Sequence, residues 1–491
     1  RPRGAGGARM SGATPAAASA AAAAPLPPGS SLPALRPYQV EVARAILERI
    51  AGGQGGSLSV EVARQGGKNE VSAQVELLTL VAHRDTGGTL VKCAPTAEPQ
   101  ARISRQRLEA RATDAGLQGL VRRHGDTLRC GRARAHFLSA ERHANVMGHT
   151  ASLLLEVDEA QDVDAEKFDR DFRPMAASTN APVVYYGTPW GTRSLLGRAR
   201  AEHIEAERRD GLRRCFRYDW RTVAEHVPDY ARYVEGERLR LGERHPLFRT
   251  QYLLEEVDEA GRMFDEATLA QVQGGHRRLR QSEASPVRYV AGLDVAGPDL
   301  GIAPDGRTRD RDWTVLTVAR VVHDAGRGSL PTVEVVEHQA WQGEATEMLV
   351  SILGHSLHDV WRIRRLAMDA TGIGAPLADM LMRGFGRDVV DAVSFTAERK
   401  SRLGFGLLAA AHSGRLRLYA ADGSREYLEC RRQLEWARAD YSQPGSMRFD
   451  VDPARGHDDY LVSLALAVSA AGADSDPRVA RGAGAEIGDE Q

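Results

Sequence analysis

Cysteine and lysine are both scarce in this chain of 491 residues. The four cysteines, Cys93, Cys130, Cys215 and Cys430, form no CxxC pair, which argues against a zinc ribbon or a disulfide framework and for a reducing cytoplasm. Lysine occurs only at positions 68, 92, 167 and 400, so 65 basic residues minus 4 leaves 61 arginines. A GC-rich genome produces that skew without any function. A lysine that survives it can still do what arginine cannot, acting as a compact point charge on a phosphate. No apolar run is long enough to cross a bilayer, and the alanine-rich start holds almost no large apolar residues, so neither a membrane span nor a signal segment is read. Neither sign of charge is in excess: 65 basic residues face 66 acidic ones, for a net charge of -1. Any nucleic-acid contact must then come from local basic patches.

The length exceeds what one hydrophobic core usually organises, so two domains plus appendages are expected. Residues 1–32 are low-complexity Ala, Pro and Gly and read as a disordered arm, with Met10 as an alternative start. The Gly/Asp-rich tail at 472–491 reads the same way. Between them the chain alternates strand and helix signals in two blocks. The first places strands at 58–62, 89–94, 153–157 and 183–186, the pattern of a doubly wound, mainly parallel sheet, whose ligands bind at the carboxyl ends of strands. An Arg- and Glu-rich helical stretch at 198–285 reads as a lid or linker subdomain. The second block opens with three strand-like runs, "VRYVAGLDVAG", "DWTVLTVARVVH" and "TVEVVEHQAW". Helix, strand "RLAMD", helix, strand "VVDAVSF" and further helices follow, which is the order of a ribonuclease-H-like fold.

"VEVARQGGKNE" at residues 60–70 is close to a phosphate-binding loop but lacks two letters of G-x-x-x-x-G-K-[ST]: Val62 stands for the first glycine and Asn69 for the hydroxyl. Its context is right. Val71, Val75, Leu78 and Ala82 recur at helical spacing after it, so backbone N–H groups at Gly66, Gly67 and Lys68 would face an anion from a helix N-terminus. The bland alternative is an ordinary turn. "LLLEVDEAQD" then runs an apolar strand into Asp158 and Glu159, where a nucleotide hydrolase needs one carboxylate for magnesium and one to polarise water; the alternative is a strand ending in solvated acids. Glu156, inside that strand, has no evident role. Gln39 in "LRPYQ" has an amide able to meet an adenine edge, and Thr188 in "VVYYGTP" offers a hydroxyl at a strand end. Each is weak alone, but the four follow one another in the order an ATPase requires.

With these elements in place, the chain from 33 to 470 resembles the large terminase subunit, the DNA-packaging motor of tailed double-stranded DNA bacteriophages. Arg64-Gln65 before the Gly-Lys and the absent first glycine fit that family; Asn69 departs from it. The resemblance implies an α/β protein with a P-loop (RecA/ASCE-like) ATPase domain at 33–197, the lid at 198–285, and a ribonuclease-H-like (RuvC-type) nuclease domain at 286–471. It implies Lys68 on the β- and γ-phosphates, Arg64 as a phosphate or coupling contact, Asp158 on magnesium, Glu159 as the catalytic carboxylate, Thr188 in the coupling motif and Gln39 near adenine. Asn69 either serves the cation or leaves it to water and Asp158. The implied cofactors are ATP and Mg2+, with Mn2+ also suited to the nuclease. The implied partners are double-stranded viral DNA, a portal protein, the small terminase subunit and further copies of the chain in a ring on the procapsid, with no membrane, in the cytoplasm of the infected bacterium.

A terminase must also cut DNA, and acids stand where a nuclease of this fold needs them: Asp294 ends "GLD", Asp369 ends "AMD", and Asp458 and Asp459 open the last helix. The first and fourth strands of such a sheet are neighbours and the last helix crosses them, gathering carboxylates for two divalent ions. The bland readings are a helix cap for Asp458 and a turn for Asp369. Lys400 is either a phosphate contact or a solvated lysine. Arg102, Arg105 and Arg142 are candidates for an arginine acting on a neighbouring subunit. A helicase-nuclease of DNA repair and a noncatalytic DNA-binding scaffold are the alternatives. The first needs a second RecA-like block, and the second has no need of the acids.

Overall fold

The structure, a computed structural model, describes residues 32–258, 260–283, 287–296, 313–323, 330–452 and 455–475. The expected N-terminal arm, with Met10, lies outside the described residues except for its last position, and the tail does so from residue 476. The chain divides into two compact units. The first extends to Val60 and takes in Gly67–Tyr186 and Glu202–Phe216; the second holds Glu61–Gly66, Gly187–Ala201 and the chain from Arg217. The stretch expected as a separate lid is thus shared out. No helix among the described residues is long and apolar enough to cross a membrane.

In the first unit, helix α1 (Pro37–Gly52) starts on a proline, whose missing N–H costs nothing at that position. Strand β1 (Ser57–Val62) is buried from Leu58 onward and leads through the loop to helix α2 (Lys68–Ala82). Strand β2 (Gly88–Ala94), helix α3 (Arg102–Asp114) and strands β3 (Val121–His124), β4 (Thr127–Cys130), β5 (Ala133–Ser139), β6 (Leu154–Val157) and β7 (Val183–Gly187) follow. Helix α4 (Leu195–Asp210) and strand β8 (Cys215–Tyr218) come next, and the strand order is β3-β4-β5-β2-β6-β7-β1-β8. Strand β2 is parallel to β5 and β6, and β6 to β7, as the apolar runs require. Strands β3 and β4 add antiparallel partners beyond β5. The sequence pattern does not reveal β3 to β5, because arginine and histidine occupy their outward positions.

The second unit includes helix α5 (Pro228–Leu241) and strand β9 (Ala260–Arg262). Its main sheet is built from β10 (Arg288–Asp294), β11 (Thr314–Val322), β12 (Thr332–Trp341), β13 (Arg365–Asp369), β14 (Val390–Val393) and β15 (Leu416–Arg417), in the order β14-β13-β10-β11-β12-β15. Its longer helices after β9 are α6 (Thr346–His355), α7 (Gly374–Phe385), α8 (Ala397–His412), α9 (Arg425–Trp436) and α10 (Asp459–Ser475), so the last helix outruns the expected boundary at Ala471. Strands β16 (Ala437–Asp440) and β17 (Arg448–Val451) make a small sheet with β9. Strands β10, β11 and β12 pair antiparallel in succession, and β10 pairs parallel with β13. This is the meander, with its first and fourth strands adjacent, expected of a ribonuclease-H-like sheet.

Side-chain alternation assigns the two faces of that sheet. Tyr289, Ala291 and Leu293 pack with Leu349, Leu353 and Leu377 of α6 and α7, while Val290 packs with Leu407, Leu434, Leu461 and Leu464 of α8, α9 and α10. A strand period of two puts Gly292 and Asp294 on the second face with Val290. There α10 comes so close that a Cβ on Gly292 would lie 2.1 Å from the Ser463 carbonyl oxygen and 2.3 Å from the Ala467 nitrogen. Ser463 Oγ also donates to the Gly292 carbonyl at 3.1 Å. Gly292→Ala is therefore expected to destabilise the chain by more than the ~1–3 kcal/mol of ordinary overpacking, since backbone and not a mobile side chain must move. A urea unfolding midpoint equal to wild type would contradict this contact.

Candidate functional site

Two groups of charged side chains lie at strand ends, one in each unit. In the first unit, β6 ends at Val157 and the chain turns sharply, with Glu159 at φ 45, a left-handed conformation unusual for a residue with a side chain. Asp158 is buried. Its Oδ2 accepts from Ser104 Oγ at 3.1 Å and its Oδ1 from the Glu159 N–H at 3.2 Å. The Lys68 ammonium lies 2.8 Å from the Glu159 carboxylate, which also accepts from Gln161 Nε2 at 2.8 Å. Sequence order alone separates Lys68 from Glu159 by 91 positions; the fold closes them into an ion pair.

The loop before Lys68 is shaped by its glycines. Gly67 has φ 89, and a Cβ there would meet Gln39 Nε2 at 2.4 Å, so only glycine fits. Gln39 is buried and engaged at both ends of its amide: Nε2 donates to the Gly67 carbonyl at 3.1 Å, and Oε1 accepts from the Arg36 N–H at 2.8 Å. The structure thus places Gln39 against the loop, tying α1 to it. Asn69 occupies the first turn of α2, half-buried. Gly66 is buried, whereas Arg64 and Gln65 are exposed, with Gln65 at φ 63. Within the second unit, Arg64 donates through Nη1 to Gln251 Oε1 at 3.0 Å, and its carbonyl accepts from Tyr230 OH at 2.6 Å. Thr188 directly follows β7. Of the three candidate trans-acting arginines, Arg105 is buried and paired with Asp126 at 2.5 Å, while Arg102 and Arg142 are exposed. Arg102 pairs with Glu98, and Arg142 with Asp164 at 2.9 Å.

In the second unit, Asp294 and Asp369 end the adjacent strands β10 and β13, and Asp458 and Asp459 stand at the start of α10, which packs on both strands. Burial, followed by the charges of Asp459, Asp458 and Asp369, pushes the Asp294 carboxyl well above the usual carboxylate range, while Lys400 opposes the shift. Lys400 lies 3.5 Å from Asp458 and 5.3 Å from the centre of the Phe449 ring. Asp459 Oδ2 accepts from the Trp313 N–H at 2.9 Å, and Asp369 Oδ1 from the Thr371 N–H at 2.8 Å, so each acid also fixes local backbone. Among the described residues, no three acidic, histidine or cysteine side chains stand close enough together to hold a metal ion as they are. The other three acids raise the cost of charging Asp294 without meeting it as a ligand set.

No protein-family model matches the sequence, and no curated protein does. Solved structures do. The large terminase of a thermophilic bacteriophage is 12% identical, with a TM-score of 0.51 over 89% of this chain and 99% of its own. The fold is that of a phage large terminase. The HK97 bacteriophage large terminase is also similar, at 15% identity and a TM-score of 0.39 over 91% and 97% of the two chains. So is the large terminase nuclease of another thermophilic phage, G20c, with bound magnesium, at 18% identity and 0.31 over 42% and 96%.

Two residues of this fold escape a reading by motif. Gln433 of α9 accepts from the N–H groups of Tyr460 and Leu461 at 2.8 and 3.1 Å, capping α10 beside its acids. Asp162, pushed up to about 6 by burial and by Glu159, sits one turn past the acid pair. The readable signal for both is only proximity to a motif. The raised Asp294 carboxyl yields a direct expectation. Its folded value exceeds its unfolded one, so its favourable contribution is present in acid and lost as pH rises through the folded value. Asp294→Asn should therefore raise the melting temperature at about pH 7, with the gain vanishing near the unfolded aspartate value of about 4. Thermal melts at the two pH values check it; a loss of stability at neutral pH would show the carboxylate to be structural.

Proposed function

We propose that the chain is the large subunit of a phage terminase: an ATP-driven motor that moves double-stranded viral DNA into a procapsid, and a metal-dependent endonuclease that cuts it. The observation that supports the first activity is the Lys68–Glu159 ion pair at 2.8 Å, next to the buried Asp158. In this reading Lys68 and the backbone N–H groups of Gly66, Gly67 and Lys68 bind the ATP phosphates. Asp158, with or without Asn69, holds Mg2+, and Glu159 orients the attacking water once phosphate draws Lys68 away. Arg64 and Thr188 sense the phosphate, Gln65 shapes the turn, and Gln39 fixes the loop from the adenine side. The thermophilic-phage large terminase that matches at 12% identity has also been seen with ADP and with ATP-gamma-S.

The second activity is supported by the chemistry of Asp294, Asp369, Asp458 and Asp459. Carboxylates alone are hard oxygen donors suited to Mg2+ or Mn2+, and the raised Asp294 carboxyl marks a surplus of negative charge that a cation relieves. Bound divalent ions, two in the fullest form, would stabilise the attacking and leaving oxygens of a phosphodiester. The acids supply the ligands, α10 sets their spacing on β10 and β13, and Lys400 steadies Asp458. As a motor the chain works in a ring of copies on the procapsid, with a portal protein and a small subunit, in the cytoplasm of the infected bacterium. A helicase-nuclease requires a second RecA-like block, and the mixed sheet of the second unit does not have that topology.

The two activities should separate by mutation. Lys68→Ala and Glu159→Gln are expected to lower ATP turnover by about a hundredfold or more while DNA cleavage with Mn2+ persists. Asp294→Asn should do the reverse, abolishing cleavage and leaving ATP turnover intact. Wild-type ATP turnover in Lys68→Ala, or wild-type cleavage in Asp294→Asn, would sink the corresponding half.

A further inference from the structure

Behind the acid pair of the first unit lies a buried polar cluster that neither motif accounts for. Lys92 of β2 and Glu156 of β6 are register partners across the sheet, and both are buried, as are Glu76 and Ser72 of α2 and Tyr186 of β7. The Lys92 ammonium donates to Ser72 Oγ at 2.6 Å and to Glu76 Oε1 at 2.9 Å, and stands 3.8 Å from Glu156 Oε2. Ser72 Oγ donates to Glu156 Oε2, and Tyr186 OH to Glu156 Oε1, both at 2.9 Å. Burial works against the ammonium, yet Glu76, Glu156 and Asp158 together hold it above its ordinary value, so it stays charged.

The placement along α2 gives the cluster its meaning. Lys68, Ser72 and Glu76 recur every fourth residue and share one helix face. Each makes a rung: Lys68 to Glu159, Ser72 to Glu156, Glu76 to Lys92. The upper rung joins phosphate lysine to catalytic carboxylate. The lower two join the same helix to the same strand, β6, and to its neighbour β2. Tyr186 adds β7, one residue before Gly187-Thr188. An apolar contact would let α2 slide along the sheet, whereas directional hydrogen bonds to a charged centre do not.

We propose that Ser72, Glu76, Lys92 and Glu156 are positioning residues that fix the axial height of the phosphate-loop helix against the acid-bearing strand, and so set the gap across which Lys68 and Glu159 act. The proposal rests on the reading of the first unit as an ATP site. A buried ion cluster is a poor source of stability, and its replacement by apolar residues of similar size is often neutral or stabilising. Stability and positioning therefore come apart in experiment.

The test uses the full chain and two variants. The combined Glu76→Leu, Lys92→Met, Glu156→Leu and Tyr186→Phe protein removes every charge at once. Ser72→Ala, which deletes one hydroxyl, serves if the first does not fold. Each folded variant is expected to keep a melting temperature near wild type and a KM for ATP within about threefold, while kcat falls by about a hundredfold for the combined variant, the scale of a misplacement of order one ångström, and by about tenfold for Ser72→Ala. A folded variant with wild-type kcat, or a loss carried by KM alone, overturns the proposal while leaving the ATP site in place. Absence of ATP turnover in the wild-type chain overturns the ATP-site reading and this proposal with it.

Discussion

A carboxylate at the end of a buried strand is held where backbone pairing stops, half out of a core that does not tolerate charge, and both units are organised around that placement. Apolar β6 delivers Asp158 and Glu159; apolar β10 and β13 deliver Asp294 and Asp369. The balance of charge then differs. In the first unit Lys68 already faces Glu159 at 2.8 Å, so the two charges satisfy each other, and in the proposed ATP site a phosphate would have to compete for the lysine. In the second, Asp294, Asp369, Asp458 and Asp459 lie at adjoining strand and helix ends, with Lys400 3.5 Å from Asp458. The charge on Asp294 is disfavoured by its neighbours, and in the proposed nuclease site a bound cation would relieve that cost, so stability and activity would oppose each other there.

Such placement works only if the opposing helices come close enough. At Gly292 the backbone of α10 replaces a side chain in contact with β10, and Asp458 and Asp459 reach the sheet because the helix lies that near. At Gly67 the positive φ and the contact with Gln39 leave no room for a Cβ, and the loop turns directly into α2. In both cases a missing methyl group sets how closely two elements approach.

The sequence discloses these features unevenly, for physical reasons. Strands β1, β2, β6 and β7 are legible to within a residue because they are buried on both faces and read as mainly apolar runs. Asp158, Asp294 and Asp369 are legible because each ends such a run. Strands β3 to β5 are not, since "VRRH", "TLRC" and "ARAHFLS" face solvent on alternate positions with arginine and histidine. Strand β8, four residues long, carries too little pattern to separate it from the helices around it. The buried cluster was visible in a form easily passed over: a single lysine inside "TLVKCA" and a single glutamate inside "LLLEV". Opposite charges within two apolar strands have few stable arrangements other than facing each other.

The scarcity of lysine bears on the same point. In a chain with 61 arginines, all four lysines pair with a carboxylate: Lys68 with Glu159, Lys92 with Glu76, Lys167 with Asp171 and Lys400 with Asp458. Their side chains are 14%, 4%, 5% and 32% exposed, so none is a solvated surface residue. A planar guanidinium has five donors to satisfy, whereas the compact Lys92 ammonium hydrogen-bonds to Ser72 and Glu76 with Glu156 3.8 Å away. Lys400 is the most open of the four. It contacts Asp458 at 3.5 Å and the Phe449 ring, and its greater exposure sets it apart from the other three lysines, which are more enclosed.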